Sequence, residues 1–107
     1  MTITDLVRRA HDNATAKGFH DDPPNIPQRL CLIHSEVSEA LEDYRNRIME
    51  GGVRGDGKPY GFPSEIADIV IRCADLCGRL GIDLDAEIQR KMAYNETRPH
   101  KHGGKVC

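Results

Sequence analysis

The chain has 107 residues, a length typical of one domain, so we expect a single domain over residues 1–107. It contains 15 Lys and Arg against 17 Asp and Glu, so its formal net charge is −2. Only 5% of the residues are aromatic and Trp is absent, whereas Leu, Ile, Ala, Glu and Arg are frequent, which favours helices over sheet. No apolar run approaches the ~20 residues of a membrane span, and the first residues lack a signal-peptide pattern. We therefore expect a soluble, cytoplasmic protein with no membrane partner.

Two helices are predicted in the first half of the chain, because apolar residues recur there at helical spacing. The first covers residues 3–17 and ends at Gly18. Residues 21–25 contain two prolines and break the chain. The second helix is predicted over residues 27–50 and ends at Gly51, so it is the longest element.

The second half begins with a loop and continues with two more helices. Residues 51–63 contain five glycines and two prolines, which predicts a mobile loop. Ser64 is the expected N-cap of a third helix that ends at Gly81, and Asp83 is the expected cap of a fourth over residues 84–96. Four helices with short connections predict an all-α, antiparallel four-helix bundle-like fold.

Two pairs of acidic residues lie on the second and third predicted helices. Glu36 and Glu39 form the first pair, and Glu65 and Asp68 form the second. A spacing of three residues places both side chains of a pair on one helical face. If the helices bring the carboxylates to ~5 Å, each like-charged pair costs roughly 3 kcal/mol at an effective dielectric constant of 20. A cluster of this kind needs a divalent cation, and hard oxygen donors suit Mg²⁺ or Mn²⁺.

The same acids also have an ordinary structural explanation. Glu65 and Asp68 follow the predicted N-cap Ser64, where the helix dipole favours negative charge. Asp68 also lies four residues before Arg72, with which it can form an ion pair on a charged face. The spacing alone leaves both interpretations open.

The acidic pairs and the C-terminal segment together resemble a known family. Glu36-x-x-Glu39 followed by Glu65-x-x-Asp68 resembles the ExxE…ExxD signature of the MazG-like all-α nucleoside triphosphate pyrophosphohydrolases. The C-terminal segment resembles the last motif of one branch of that family, and its relevant members are Lys91, Asn95, Arg98, His102 and Lys105. The resemblance covers roughly residues 28–105.

The resemblance implies a function, a cofactor and a set of ligands. The function is hydrolysis of a (deoxy)nucleoside triphosphate to the monophosphate and pyrophosphate, which requires Mg²⁺, with Mn²⁺ as a substitute. The implied metal ligands are Glu36, Glu39, Glu65 and Asp68, and the implied assembly is a homodimer or homotetramer. Several relatives have a further Glu directly before the first motif, where this chain has Ser35. The general base is therefore open between the two catalytic candidates Glu36 and Glu39, with His34 as a third choice.

The C-terminal segment is the expected binding site for the triphosphate. Residues 89–107 contain five basic side chains and one acidic one, whereas residues 1–88 contain 10 basic and 16 acidic ones. Lys91, Asn95 and Arg98 are spaced by four and three residues along one helical face, and His102 and Lys105 extend the contact. An acidic body with a short basic segment argues against binding to duplex nucleic acid.

Two functions from other classes compete with the enzyme. The first is a non-catalytic helical module that binds a metal–nucleotide complex and signals to a partner. Ser35 leaves this function possible, because several relatives have a Glu at that position. The second is a plain dimerisation domain, which treats the motifs as coincidence. The aromatic residues that could stack on a base, or equally serve as core or loop anchors, are Phe19, Tyr60, Phe62 and Tyr94.

Overall fold

The computed structural model describes residues 1–100, in which four helices and one small hairpin follow one another along the chain. The helices are α1 (Ile3–Ala16), α2 (Ile26–Arg45), α3 (Phe62–Leu80) and α4 (Leu84–Glu96), and the hairpin pairs β1 (Gly52–Val53) with β2 (Pro59–Tyr60) in antiparallel fashion. The mostly helical character predicted from composition is confirmed. No helix in this part of the chain is long and apolar enough to cross a membrane.

Short polar side chains satisfy the first backbone N–H groups of three helices. Thr2 and Asp5 form a reciprocal capping box at the start of α1. Asn25 accepts a hydrogen bond from the backbone N–H of Gln28 at the start of α2, at 3.0 Å. Asp83 accepts one from Ala86 at 3.1 Å, so the cap and the bounds predicted for α4 are confirmed.

The second helix is shorter than predicted. It ends at Arg45 with Asn46 as its C-cap, five residues before the predicted end at Glu50. Arg47 then adopts the left-handed backbone region, with φ at +60°. The carbonyl of Ile48 accepts a hydrogen bond from the backbone N–H of Phe62 at 2.9 Å. The backbone N–H of Ile48 also donates to the carbonyl of Asp43 at 2.8 Å, so a local turn around Arg47 ends α2, which the apolar spacing along the helix does not reveal.

The third helix begins earlier than predicted, and its cap is Gly61 rather than Ser64. Gly61 has a φ of +97°, and a Cβ there would lie 2.5 Å from the carbonyl oxygen of Glu50. Only glycine fits this position, because other residues would meet backbone strain and a backbone clash together. The carbonyl of Gly61 accepts from the backbone N–H of Glu65 at 3.2 Å, which places Glu65 in the first turn of α3.

The segment predicted as a loop contains the hairpin. Gly52 pairs with Tyr60 and Val53 with Pro59, in strands of two residues each. The turn between them closes with a hydrogen bond from the backbone N–H of Arg54 to the carbonyl of Lys58, at 2.9 Å. A hairpin forms here instead of a plain loop because the glycines of this segment supply the turn geometry that a short hairpin needs.

Helix α3 lies at the centre of the packing, because it contacts both α1 and α2, while α4 contacts α1. Close approach of α1 and α3 depends on Gly78, where a Cβ would lie 2.6 Å from the Cβ of His11. The buried apolar residues of the described chain are all small, namely Ala14, Ala40 and Ala74. Large apolar side chains on α2 stay exposed, including Leu30, Val37, Leu41 and Tyr44.

Candidate functional site

Three carboxylates come together where α2 packs against α3. Glu36 projects from the middle of α2, and Glu65 and Asp68 from the first two turns of α3. One oxygen from each of the three residues lies within 4.8 Å of the other two. The spacing of three along α3 and the contact between the helices together produce this acidic cluster, which we define as Glu36, Glu65 and Asp68.

Two carboxylate oxygens of the acidic cluster lack the hydrogen bonds that their burial demands. Glu36 Oε2 and Glu65 Oε2 are buried and have no hydrogen-bond partner among the described residues. Buried carboxylate oxygens without partners are costly, so each needs an explanation such as an ion. Burial, followed by the negative charge of Glu39, raises the pKa of Glu65 to about 7. Burial, followed by the charge of Glu36, also raises the pKa of Asp68.

Glu39 lies beside the cluster rather than in it. Its side chain is exposed on α2, one turn after Glu36, and it is absent from the set of oxygens within 4.8 Å of one another. Its charge is nevertheless close enough to raise the pKa of Glu65. The four predicted ligands therefore occur as three converging carboxylates and one exposed neighbour.

The residues of the cluster fit a divalent cation. All the donors are carboxylate oxygens, which are the ligands that Mg²⁺ and Mn²⁺ prefer. The two unpartnered oxygens, Glu36 Oε2 and Glu65 Oε2, come from different helices, as expected of a site that an ion completes. Glu36, Glu65 and Asp68 are the residues that could hold the ion.

Arg72 pairs with the cluster in a way that its sequence position does not suggest. Its Nε donates a hydrogen bond to Glu36 Oε1 at 2.8 Å, across the contact between α3 and α2. The sequence offered Asp68, on the same helix, as an ion-pair partner; the structure gives Arg72 a partner on the neighbouring helix instead. The positive charges of Arg72 and Lys58 oppose the rise in the pKa of Asp68.

Two cavities give access to the acidic cluster. The larger has a volume of about 410 Å³, and its lining includes Glu36, Asp68, Arg72, Arg29, Phe19 and Asp75. The second has a volume of about 380 Å³ and lies under the hairpin, between Tyr60, Ser64 and Asp68. Asp68 borders both cavities, whereas Glu36 borders only the larger one.

The predicted triphosphate ligands of the C-terminal segment lie elsewhere in the single chain. Lys91 and Asn95 are exposed on α4, and the Arg98 guanidinium stacks over the Tyr94 ring at 5.6 Å from its centroid. None of the three lines either of the two cavities at the cluster. His102 and Lys105 lie outside the described residues.

His34, the third candidate for the general base, and Ser35, which replaces the further Glu of several relatives, lie outside the acidic cluster. His34 is exposed on α2 and does not belong to the group of converging ligand atoms. Ser35 donates its hydroxyl hydrogen to the carbonyl of Leu32 at 2.7 Å, one turn earlier in the same helix. Neither supplies the base that the additional Glu of related motifs would provide.

A second group of polar side chains was not indicated by the sequence. His20 Nε2 lies 2.6 Å from Asp75 Oδ1, and His11 Nδ1 lies 3.4 Å from the same oxygen. The His20 side chain is only 3% exposed, and the two rings are 4.8 Å apart. These residues come from α1, the following connection and α3, so no spacing along the chain marks them. The short His20–Asp75 distance is that of a direct hydrogen bond, which fastens the connection to α3.

Comparisons of the chain with protein-family models, curated proteins and solved structures found no match. The features that bear on function are therefore the acidic cluster, its cavities and its charges.

Proposed function

We propose that this protein is a Mg²⁺-dependent nucleoside triphosphate pyrophosphohydrolase, which converts a (deoxy)nucleoside triphosphate to the monophosphate and pyrophosphate. The observation that carries the proposal is the convergence of Glu36, Glu65 and Asp68 within 4.8 Å, with two buried oxygens that lack a partner within residues 1–100. The resemblance of the two acidic motifs to those of the MazG-like family supports the same activity. A cavity of about 410 Å³ beside the acids offers room for part of a nucleotide.

In this proposal the acidic residues bind the metal ion. Glu36, Glu65 and Asp68 hold Mg²⁺ or Mn²⁺, and Glu39 extends the set from the adjoining turn of α2. The ion, when bound, neutralises phosphate charge and lowers the pKa of water at the site. Burial first, and the negative charge of Glu39 second, raise the pKa of Glu65, and a cation bound there would oppose this rise because it favours the ionised carboxylate.

Glu39 is our first candidate for the general base. It is solvent-exposed and near Glu65, whereas Glu36 already has one oxygen committed to Arg72. In the reaction, the water oxygen forms a bond to phosphorus and its proton passes to the Glu39 carboxylate. The phosphoanhydride bond breaks, and pyrophosphate leaves with the bonding electron pair.

Assembly into a homodimer or homotetramer is part of the proposal. The exposed apolar side chains of α2 recur at residues 30, 37, 41 and 44, which places them along one face of the helix. Only three apolar residues of the described chain are buried, and all three are alanines. A second copy of the chain, with the same face, would cover this surface and complete a helical bundle. Triphosphate binding by Lys91, Asn95 and Arg98 stays a prediction in that assembly.

A non-catalytic module that binds a metal–nucleotide complex is the second candidate function. The observation that favours it is Ser35, which stands where related motifs have a further Glu and whose hydroxyl is bonded to Leu32. Such a module would bind nucleotide with Mg²⁺ but would not release pyrophosphate.

Pyrophosphate release from a panel of nucleotides tests the enzyme against the module. With Mg²⁺ present we expect turnover of at least one nucleotide, complete loss with chelator, and loss of about 10²-fold or more in Glu39→Gln. Glu42→Gln is the matched control, because Glu42 is an exposed acid on the same helix that pairs with Arg45. Nucleotide-dependent thermal stabilisation without pyrophosphate release would support the module and contradict the enzyme.

A further inference from the structure

Arg72 lies at the boundary between the acidic cluster and the larger cavity. Its Nε is 2.8 Å from Glu36 Oε1, and it is the only basic side chain within 4.0 Å of Glu36, Glu65 or Asp68 in the described chain. The side chain of Glu36 is 10% exposed, whereas that of Arg72 is 39% exposed. Arg72 therefore reaches from a buried carboxylate towards solvent, along the wall of the cavity.

Most of the hydrogen-bonding capacity of Arg72 is unused. Within residues 1–100 its guanidinium makes one hydrogen bond, through Nε, and its two terminal nitrogens make none. A planar guanidinium can bind two phosphate oxygens at once through such nitrogens. Arg29 lines the same cavity, so the cavity wall contains two arginines close to three acids.

We propose that Arg72 is a phosphate-binding residue of the site, and that it serves as the counter-ion of Glu36 only while the acidic cluster holds no metal. The proposal rests on the function proposed above, because it assumes that the cluster holds a divalent cation together with a polyphosphate. When the cation is bound, it neutralises Glu36 in place of Arg72, and the terminal nitrogens of the Arg72 guanidinium bind a phosphate oxygen in the cavity.

Arg72 should therefore weaken the binding of one ligand and strengthen the binding of another. Arg72 opposes the binding of a bare divalent cation, because it is a positive charge that already occupies an oxygen of Glu36. It favours the binding of a metal–polyphosphate complex, because that complex carries net negative charge and offers oxygens to the guanidinium. A residue that merely supports the fold would weaken both kinds of binding together.

The experiment measures both ligands by calorimetry on the full chain. The probes are Mn²⁺ alone and inorganic tripolyphosphate with saturating Mg²⁺, and the variants are Arg72→Met and Arg72→Lys. Arg45→Met is the charge control, since it removes an equal charge from an exposed ion pair on α2. Circular dichroism confirms helical content, and Arg72→Lys, which keeps the charge, serves if Arg72→Met does not fold.

For Arg72→Met we expect Mn²⁺ to bind about tenfold more tightly than to the wild type, from removal of a nearby like charge. We expect the tripolyphosphate complex to bind about 10- to 100-fold more weakly, from loss of charged hydrogen bonds. Arg72→Lys should leave Mn²⁺ binding close to wild type but still weaken tripolyphosphate binding, because lysine lacks the paired terminal nitrogens of a guanidinium. Arg45→Met should change neither affinity.

Two results would overturn the inference, and they differ from the result that would refute the proposed function. Equal losses of both affinities in Arg72→Met would assign Arg72 a structural role. Unchanged tripolyphosphate binding would exclude it as a phosphate ligand, while pyrophosphate release by the wild type would leave the enzymatic proposal intact. Absence of Mn²⁺ binding to the wild type would refute the metal centre itself, and the role of Arg72 with it.

Discussion

Replacing Glu65 by glutamine should stabilise the protein in the absence of divalent cations at neutral pH. Glu65 is the member of the acidic cluster whose pKa shifts to about 7, from an ordinary value of 4.5, through burial first and the charge of Glu39 second. Glutamine keeps the shape of the side chain and removes the charge. The substitution therefore isolates the electrostatic cost that the cluster imposes on the folded state.

The sign of the effect follows from the two pKa values. Below pH 4.5 the Glu65 carboxyl is protonated in both the folded and the unfolded protein, so it has no effect on stability. Between pH 4.5 and about 7 the unfolded state ionises while the folded state stays protonated, so the free energy of unfolding falls as the pH rises. Above about 7 the penalty stays constant.

The size of the effect can be bounded from the same shift. One pKa unit corresponds to about 1.4 kcal/mol, so the full difference between the two values would be about 3 kcal/mol. Glu65 is only half-buried, and solvent screens part of the repulsion, so we expect about 1–2 kcal/mol. A change of this size is a measurable fraction of the stability of a small domain.

Urea unfolding with chelator, at pH 5 and at pH 8, is the assay. Glu65→Gln should be more stable than the wild type at pH 8 by about 1–2 kcal/mol, and the gap should narrow towards pH 5. Added Mn²⁺ should stabilise the wild type but not the variant. Glu42→Gln is again the control. A variant with the pH dependence of the wild type would refute the electrostatic reasoning.

The remaining predictions concern packing and assembly. In a urea titration, Gly78→Ala should lower the free energy of unfolding by about 1–3 kcal/mol, because its Cβ would lie 2.6 Å from a Cβ of α1. Gly55→Ala, where the added methyl would meet no atom of residues 1–100 within 4 Å, should change this free energy by less than about 0.5 kcal/mol. Leu41→Arg, on the exposed apolar face of α2, should reduce the mass measured by light scattering from a multiple of 12.0 kDa to that of the single chain, with helical content unchanged. A wild type with the mass of one chain would contradict the proposed assembly.

Much of the secondary structure was determined by local sequence. The bounds of α4 and its cap at Asp83 follow from one side chain and a run of helix-forming residues. The start of α1 at Ile3 likewise follows from the pattern of its apolar residues. The spacing of Glu65 and Asp68 also placed both on one face of α3, because helical geometry relates residues three apart.

Contacts between distant residues decided the rest. The N-cap of α3 is glycine because the backbone of Gly61 passes close to the carbonyl oxygen of Glu50. The carbonyl of Ile48, just beyond α2, accepts a hydrogen bond from Phe62 at the start of α3. Arg72 pairs with Glu36, 36 positions away, rather than with an acid on its own helix.

The same division holds for the candidate site. The sequence identified the acidic motifs, but only the packing of α2 on α3 brings Glu36 to Glu65 and Asp68 and leaves Glu39 exposed beside them. The tertiary structure also buries His20 against Asp75, two residues that no motif connects. The physical reason is one of range: caps and helical faces depend on neighbours within about one turn, whereas burial, ion pairing and pKa shifts depend on which helices meet.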